Sequence, residues 1–296
     1  MFERRDLSQP VADVREAHAP DAVVLECDRD FETLPPSQAE ALGFAVDSLE
    51  PSSAPTAWLP DDAPELLRQY AGSEFTVGMP GDGSIVRTRQ TVPPTVIVKP
   101  RVQGSPESFV DFLLAEALVE LGLEVPEHFL GFFEEEYHDL DRAIPLGPND
   151  TYQVAAALYD GWVGLHTRRV FAGWVSESES ESESESGPAS ESKPKTESEP
   201  KPEPMSTSVQ TRPELAAAWQ DAGNRLEQRV SELPSAVARG ETDFADATEL
   251  ACAAIKHDLE LPAPFAALET DAYRDHGPEY AIKWAEKTFD ALAEST

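Results

Sequence analysis

The chain has 296 residues, 56 of them Asp or Glu and 23 Lys or Arg, for a formal charge of -33. An apolar content of 40% supplies an ordinary core for one large or two modest domains, and two cysteines, Cys27 and Cys252, exclude a disulfide scaffold. No apolar run has secretory-signal or membrane-span length; the most apolar helix candidate, Phe109 to Leu123, is broken by Asp111, Glu116 and Glu120.

Such a surface stays hydrated and dispersed where salt has shortened electrostatic screening to roughly 3 Å, so the composition predicts a cytoplasmic, halophilic protein. Ser8 and Pro10 open a short helix to about Ala19, and Ala22 to Cys27 reads as a strand that buries Cys27. Asp62 and Pro64 start a helix that stops near Gly72. Glu74 to Met79, Ser84 to Thr91 and Thr95 to Val102 then predict a meander of strands, with turns at Pro80-Gly81-Asp82-Gly83 and Pro93-Pro94.

Ser105-Pro106-Glu107 opens the first of a series of helices. Others are expected over Pro126 to Arg142, from Asp150 through Val154, Leu158, Trp162, Leu165 and Val170, from Leu215 to Leu233, over Phe244 to Leu259 with Cys252 on its inner face, and over Pro278 to Ala293. His166, Arg168 and Arg169 are read as last-turn residues that complement the helix dipole. Ser176 to Glu185 alternates Ser and Glu, and the polar tract runs on to Thr211 with no means of burying apolar area. With nine Glu and three Lys it carries only -6 of the charge, so -27 belongs to the rest. The fold expected is α+β: a small antiparallel sheet with helices over residues 1–104, packed on a helical domain of 105–175 and 212–296, with 176–211 a disordered insert.

One window reverses the charge. Ser84 to Pro106 holds no acid and four cations, Arg87, Arg89, Lys99 and Arg101, spaced two apart on successive strands. If the valines turn inward, all four project from the opposite face as a positive platform. Its partners would be an acidic protein segment or an anionic small molecule; the competing expectation is a seat for the protein's own acidic helices. Nucleic acid is disfavoured by the surrounding negative charge.

No phosphate-loop, Gly-x-Ser-x-Gly, Cys-x-x-Cys or His-Glu-x-x-His signature occurs, and no cofactor or metal is expected. Glu116 and Glu120, one turn apart, could join His138 around a metal, but a solvated acidic face is the simpler reading. Two functions stay open: a non-enzymatic interaction or regulatory module using the cationic face, and a hydrolase-type enzyme acting on an anionic small molecule through a motif-free site. Convergence of His128, His138 and His166 in one pocket would favour the second. The stretches FTVGMPGDGS (75–84), SPESFVDFLLAEALVELGLEVPEHFLGFF (105–133), YQVAAALYDGWVGL (152–165) and DATELACAAIKH (246–257) resemble an uncharacterised protein family of halophilic archaea. That resemblance implies no activity or catalytic residue, and the Ser/Glu/Pro tract departs from it.

Overall fold

A computed structural model describes residues 1–72, 74–79, 81–184 and 212–294. The first hundred residues contribute β1 (Phe2–Arg4), α1 (Gln9–His18), β2 (Val23–Cys27), α2 (Pro36–Gly43), β3 (Ser48–Leu49), α3 (Glu65–Ala71), β4 (Ile85–Thr88), β5 (Thr91–Val92) and β6 (Thr95–Val98). The remainder is helical: α4 (Glu107–Gly122), α5 (Phe129–Phe133), α6 (Tyr137–Ala143), α7 (Pro148–Ser184), α8 (Pro213–Ser231), α9 (Leu233–Ala238), α10 (Phe244–Ile255) and α11 (Asp271–Glu294).

The architecture is α+β, as the residue patterns predict, but the sheet is mixed. Its order is β1-β2-β6-β4, and β2 pairs parallel with β6 between two antiparallel edges. The reason lies in β2 and β6 themselves. Val24, Val96 and Val98 enter a core with α1, α4 and α8, while Val23, Leu25, Cys27 and Ile97 enter a second core with Phe31, Leu34, Leu42 and Val77. Strands apolar on both faces need cover on both faces, as buried parallel pairs do. A third, larger core joins α3 and α5 to the helices around α7, which packs along α10 and touches α8 and α11.

Several expected elements shift for local reasons. Glu74 to Met79 forms no strand: Gly78 adopts φ 80, and a Cβ there would stand 2.5 Å from the Glu32 carbonyl oxygen. Carbonyls of that stretch are met instead by Leu34 N at 2.8 Å and Gln90 Nε2 at 2.8 Å. The helix expected over Pro126 to Arg142 breaks at Glu134, whose φ is 51. Ser105 caps nothing, since α4 begins at Glu107 and its N-cap position falls on Pro106.

The Asp243 carboxylate caps α10 by accepting from Asp246 N at 2.8 Å. The α7 backbone continues to Ser184, nine residues into the Ser/Glu alternation. The rest of the expected disordered insert, 185–211, lies outside the described residues. Among the described residues no helix is long and apolar enough to cross a membrane.

Candidate functional site

The four cations of the reversed window do not share one face. In the β4–β6 register Arg87 stands opposite Val96, so it lies on the valine side of the sheet, under α4. There its Nε donates to Glu120 Oε2 at 2.6 Å. Arg89 follows β4 and donates to the carbonyls of Leu121, Leu123 and Val125, closing the end of α4. Lys99 has alternated to the other face and is fully buried, its Nζ 4.7 Å from the Phe31 ring centre. Burial lowers the Lys99 pKa, against the pull of Asp82. Arg101 sits in a 3-10 turn after β6 and holds Asp30 and Glu32. Because both sheet faces are covered, the geometry gives no open platform.

The histidines also part company. His128 stacks on Tyr70 at 4.0 Å and accepts from Leu130 N through Nδ1, while burial pushes its pKa down to about 3. His138 contacts the Ala57 carbonyl at 2.8 Å, and His166 lies edge-on against Trp162. Arg168 and Arg169 are not last-turn residues, since α7 runs past them; they reach Asp258 and Asp271.

What does converge is a different set. A cavity of about 650 Å³ opens where the edge strand β4, Gly78, Met79 and residues 81–84 face α4, α7 and α10. Each helix supplies one stripe at helical spacing: Leu113, Glu116, Ala117 and Glu120 from α4; Gln153, Ala156, Ala157, Asp160 and Gly164 from α7; Glu249, Cys252 and Ala253 from α10, continued by Lys256 at its C-cap. The small residues at the middle of the α7 stripe leave the space, and the acids around them give it chemistry.

Two ion pairs cross this cavity's walls. Lys256 Nζ meets Glu116 Oε1 at 2.5 Å, and Arg87 meets Glu120. Burial opposes both cationic charges, but the facing glutamates outweigh it and raise the pKa of each. Glu116 and Glu120 are therefore not the solvated face their spacing suggested. Glu127 accepts from Thr88 Oγ1 at 2.9 Å, Arg89 N at 2.8 Å and Gln90 Nε2 at 2.8 Å, which ties the rim to β4. Gln153 donates to Glu249 at 2.8 Å.

Asp160 has no hydrogen bond or ion pair among the described residues. The residue is exposed, its side chain open to the cavity, and the cavity walls displace part of its hydration. That desolvation, reinforced by the negative charges of Glu120 and Asp82 against Arg87 and Lys256, pushes its pKa up to about 7. Asp82, which accepts from Met79 N at 2.7 Å, is raised as well, chiefly by burial. Cys252 is a buried free thiol whose pKa burial raises, so it is inert as a nucleophile.

Asp160 and Lys256 escaped the sequence reading because a single acid or base on a helix is indistinguishable from a solvent-facing one. The available signal was the small-residue stripe around Asp160, visible only once α10 is known to lie against it. Among the described residues no group of three or more His, Cys, Asp and Glu could hold a metal ion. A second hollow, between α6 and α11, is walled mainly by exposed charges such as Glu279 and Lys283, which pair with each other. No curated protein and no solved structure is matched by the chain. The model of a family of unknown function (DUF7089) matches residues 1–186 and 203–292, the unmatched 187–202 falling inside the Ser/Glu/Pro tract, and the chain belongs to that family.

Proposed function

We propose that the protein binds a small polar metabolite in the cavity between α4, α7 and α10, and that Asp160 exchanges a proton with it. The observation that carries this reading is the convergence of Asp160 with the Arg87–Glu120 and Lys256–Glu116 pairs on one concave space. Cavities of a few hundred Å³ with a few polar groups are the usual form of a metabolite site. A carboxyl that titrates near neutrality beside ionised neighbours suits general acid–base chemistry, the step a hydrolase needs to activate water or protonate a leaving group. The ion pairs hold their walls in fixed positions around it.

The test is a saturation-transfer NMR screen of pooled polar metabolites against the full chain, wild type and Ala156→Trp. Signals present with wild type and lost when the indole fills the cavity support the reading. Absence of any signal, or signals unchanged in the variant, refutes it.

Docking of an acidic partner is the second reading. It rests on Arg101, whose partners Asp30 and Glu32 are themselves exposed, so an incoming carboxylate could replace them. Loss of a captured partner on Arg101→Glu, with cavity variants binding normally, would favour it.

A further inference from the structure

The proposed metabolite site has a definite charge character, which the sequence's positive window concealed. Six carboxyls line the cavity, Asp82, Glu116, Glu120, Glu127, Asp160 and Glu249, against two cations, Arg87 and Lys256. Both cations are already committed at 2.5 to 2.6 Å to Glu116 and Glu120. Glu127 is committed to three donors of the β4–β5 turn. Asp82 accepts only from Met79 N and Glu249 only from the Gln153 amide, Asp160 has neither hydrogen bond nor ion pair, and none of the three has a cation within ion-pair distance among the described residues.

An anionic ligand entering here would find each positive group engaged by a carboxylate and would add its own charge to three more. A cation would find the reverse. Tyr70, Phe129, Tyr152 and Tyr159 also line the cavity, and an aromatic ring that meets an ammonium or guanidinium group face-on attracts it. Burial raises the pKa of Tyr152 and of Tyr159, so both stay neutral phenols at physiological pH. Neutral His128, on the same wall, adds no repulsion.

We infer that the cavity takes a small organic cation, an amine or guanidine on a short polar or aliphatic chain, whose charged end sits at Asp160, with Asp82 and Glu249 adding negative charge from other parts of the wall. This rests on the cavity being the site at all, and it names the class of its ligand. Asp160 would then meet the cationic group directly, in position to accept a proton from a bound ammonium.

Isothermal calorimetry on the full chain in molar KCl tests it, with agmatine and putrescine as cationic probes and succinate and inorganic phosphate as anionic ones. High salt suppresses loose attraction to the acidic exterior, which is screened, more than binding that also rests on contacts inside the cavity. The inference expects at least one cation to bind and both anions to fail. Asp160→Asn and Glu249→Gln should each weaken the cation by about tenfold or more, and Ala156→Trp or, from the opposite wall, Ala253→Phe should abolish its binding with the melting temperature retained.

Anions that bind and are blocked by those filling variants overturn the charge class while leaving the cavity as the site. A cation whose binding survives both fillings lies elsewhere on the surface and overturns the inference. So does failure of all four probes; the metabolite screen then decides the cavity separately.

Discussion

Lys256 and Glu116 meet at 2.5 Å across the wall between α10 and α4, and only the lysine keeps appreciable contact with solvent. Neutralising one partner strands the other in a crowded place. Glu116→Gln should therefore lower stability by about 3 kcal/mol, as unpaired buried charges do. Replacing both at once, Glu116→Leu with Lys256→Met, should lose clearly less than either single change, since no charge is left unpaired. Chemical denaturation of the three variants measures this. Equal losses in the single and double variants would show that packing, and not the pair, holds the wall.

Asp160 sets a pH dependence of opposite sign to that of an ordinary salt-bridged carboxylate. Its folded pKa, about 7, lies above its unfolded value near 3.8, so the folded protein binds the extra proton between those limits. Stability from this group is full below about pH 4 and is lost as pH rises through about 7. Asp160→Asn should accordingly exceed wild type by about 1 kcal/mol near pH 8, because water in the cavity screens the full effect. The gain should vanish by about pH 4 to 5. Melting curves of the two proteins across that range give the comparison, and a gain that grows as pH falls would contradict the assignment.

Arg89 and Arg101 were equivalent in the sequence, and the structure gives them unequal work. Arg89 satisfies three carbonyls at the end of α4, a helix that ends without a glycine cap. Arg89→Ala should cost about 1 kcal/mol or more, the scale of lost helix-end hydrogen bonds. Arg101 joins exposed carboxylates, and Arg101→Ala should leave the melting temperature unchanged in molar KCl. A large effect at Arg101 would mean that its pairs with Asp30 and Glu32 brace the second core.

How much was readable beforehand follows from which interactions are local. α1, β2, α3, α10 and the later part of α11 sit where caps, prolines and apolar spacing place them, because those signals act within a few residues. The parallel β2–β6 pair was not readable, since two strands separated by some seventy residues carry no mark of direction. The platform failed on a second unknown, the β4–β6 register: with Arg87 opposite Val96, Arg87 falls on the valine side of the sheet while Lys99 falls on the other. Three of the cavity's walls were present in the sequence as helical stripes, but a stripe of Ala, Gly and one Asp gains meaning only from the helix across from it.

The Ser/Glu/Pro tract offers a last test, argued from its two ends. Phe171 and Trp174 on α7 share a core with Leu215, Ala216 and Trp219 on α8, and the Arg212 guanidinium lies 5.9 Å from the Trp174 ring centre. The chain thus leaves this core after Trp174 and re-enters it at Arg212, so a connection of a few residues can span the gap even though it also replaces the last nine residues of α7. Lengthening such a loop costs only about 0.6 kcal/mol per doubling, and shortening it returns no more than that scale. Replacing 176–211 by a short Gly/Ser linker should leave the melting temperature in molar KCl nearly unchanged, with unfolding still a single transition. A broad or early transition would show that the tract contacts the folded part.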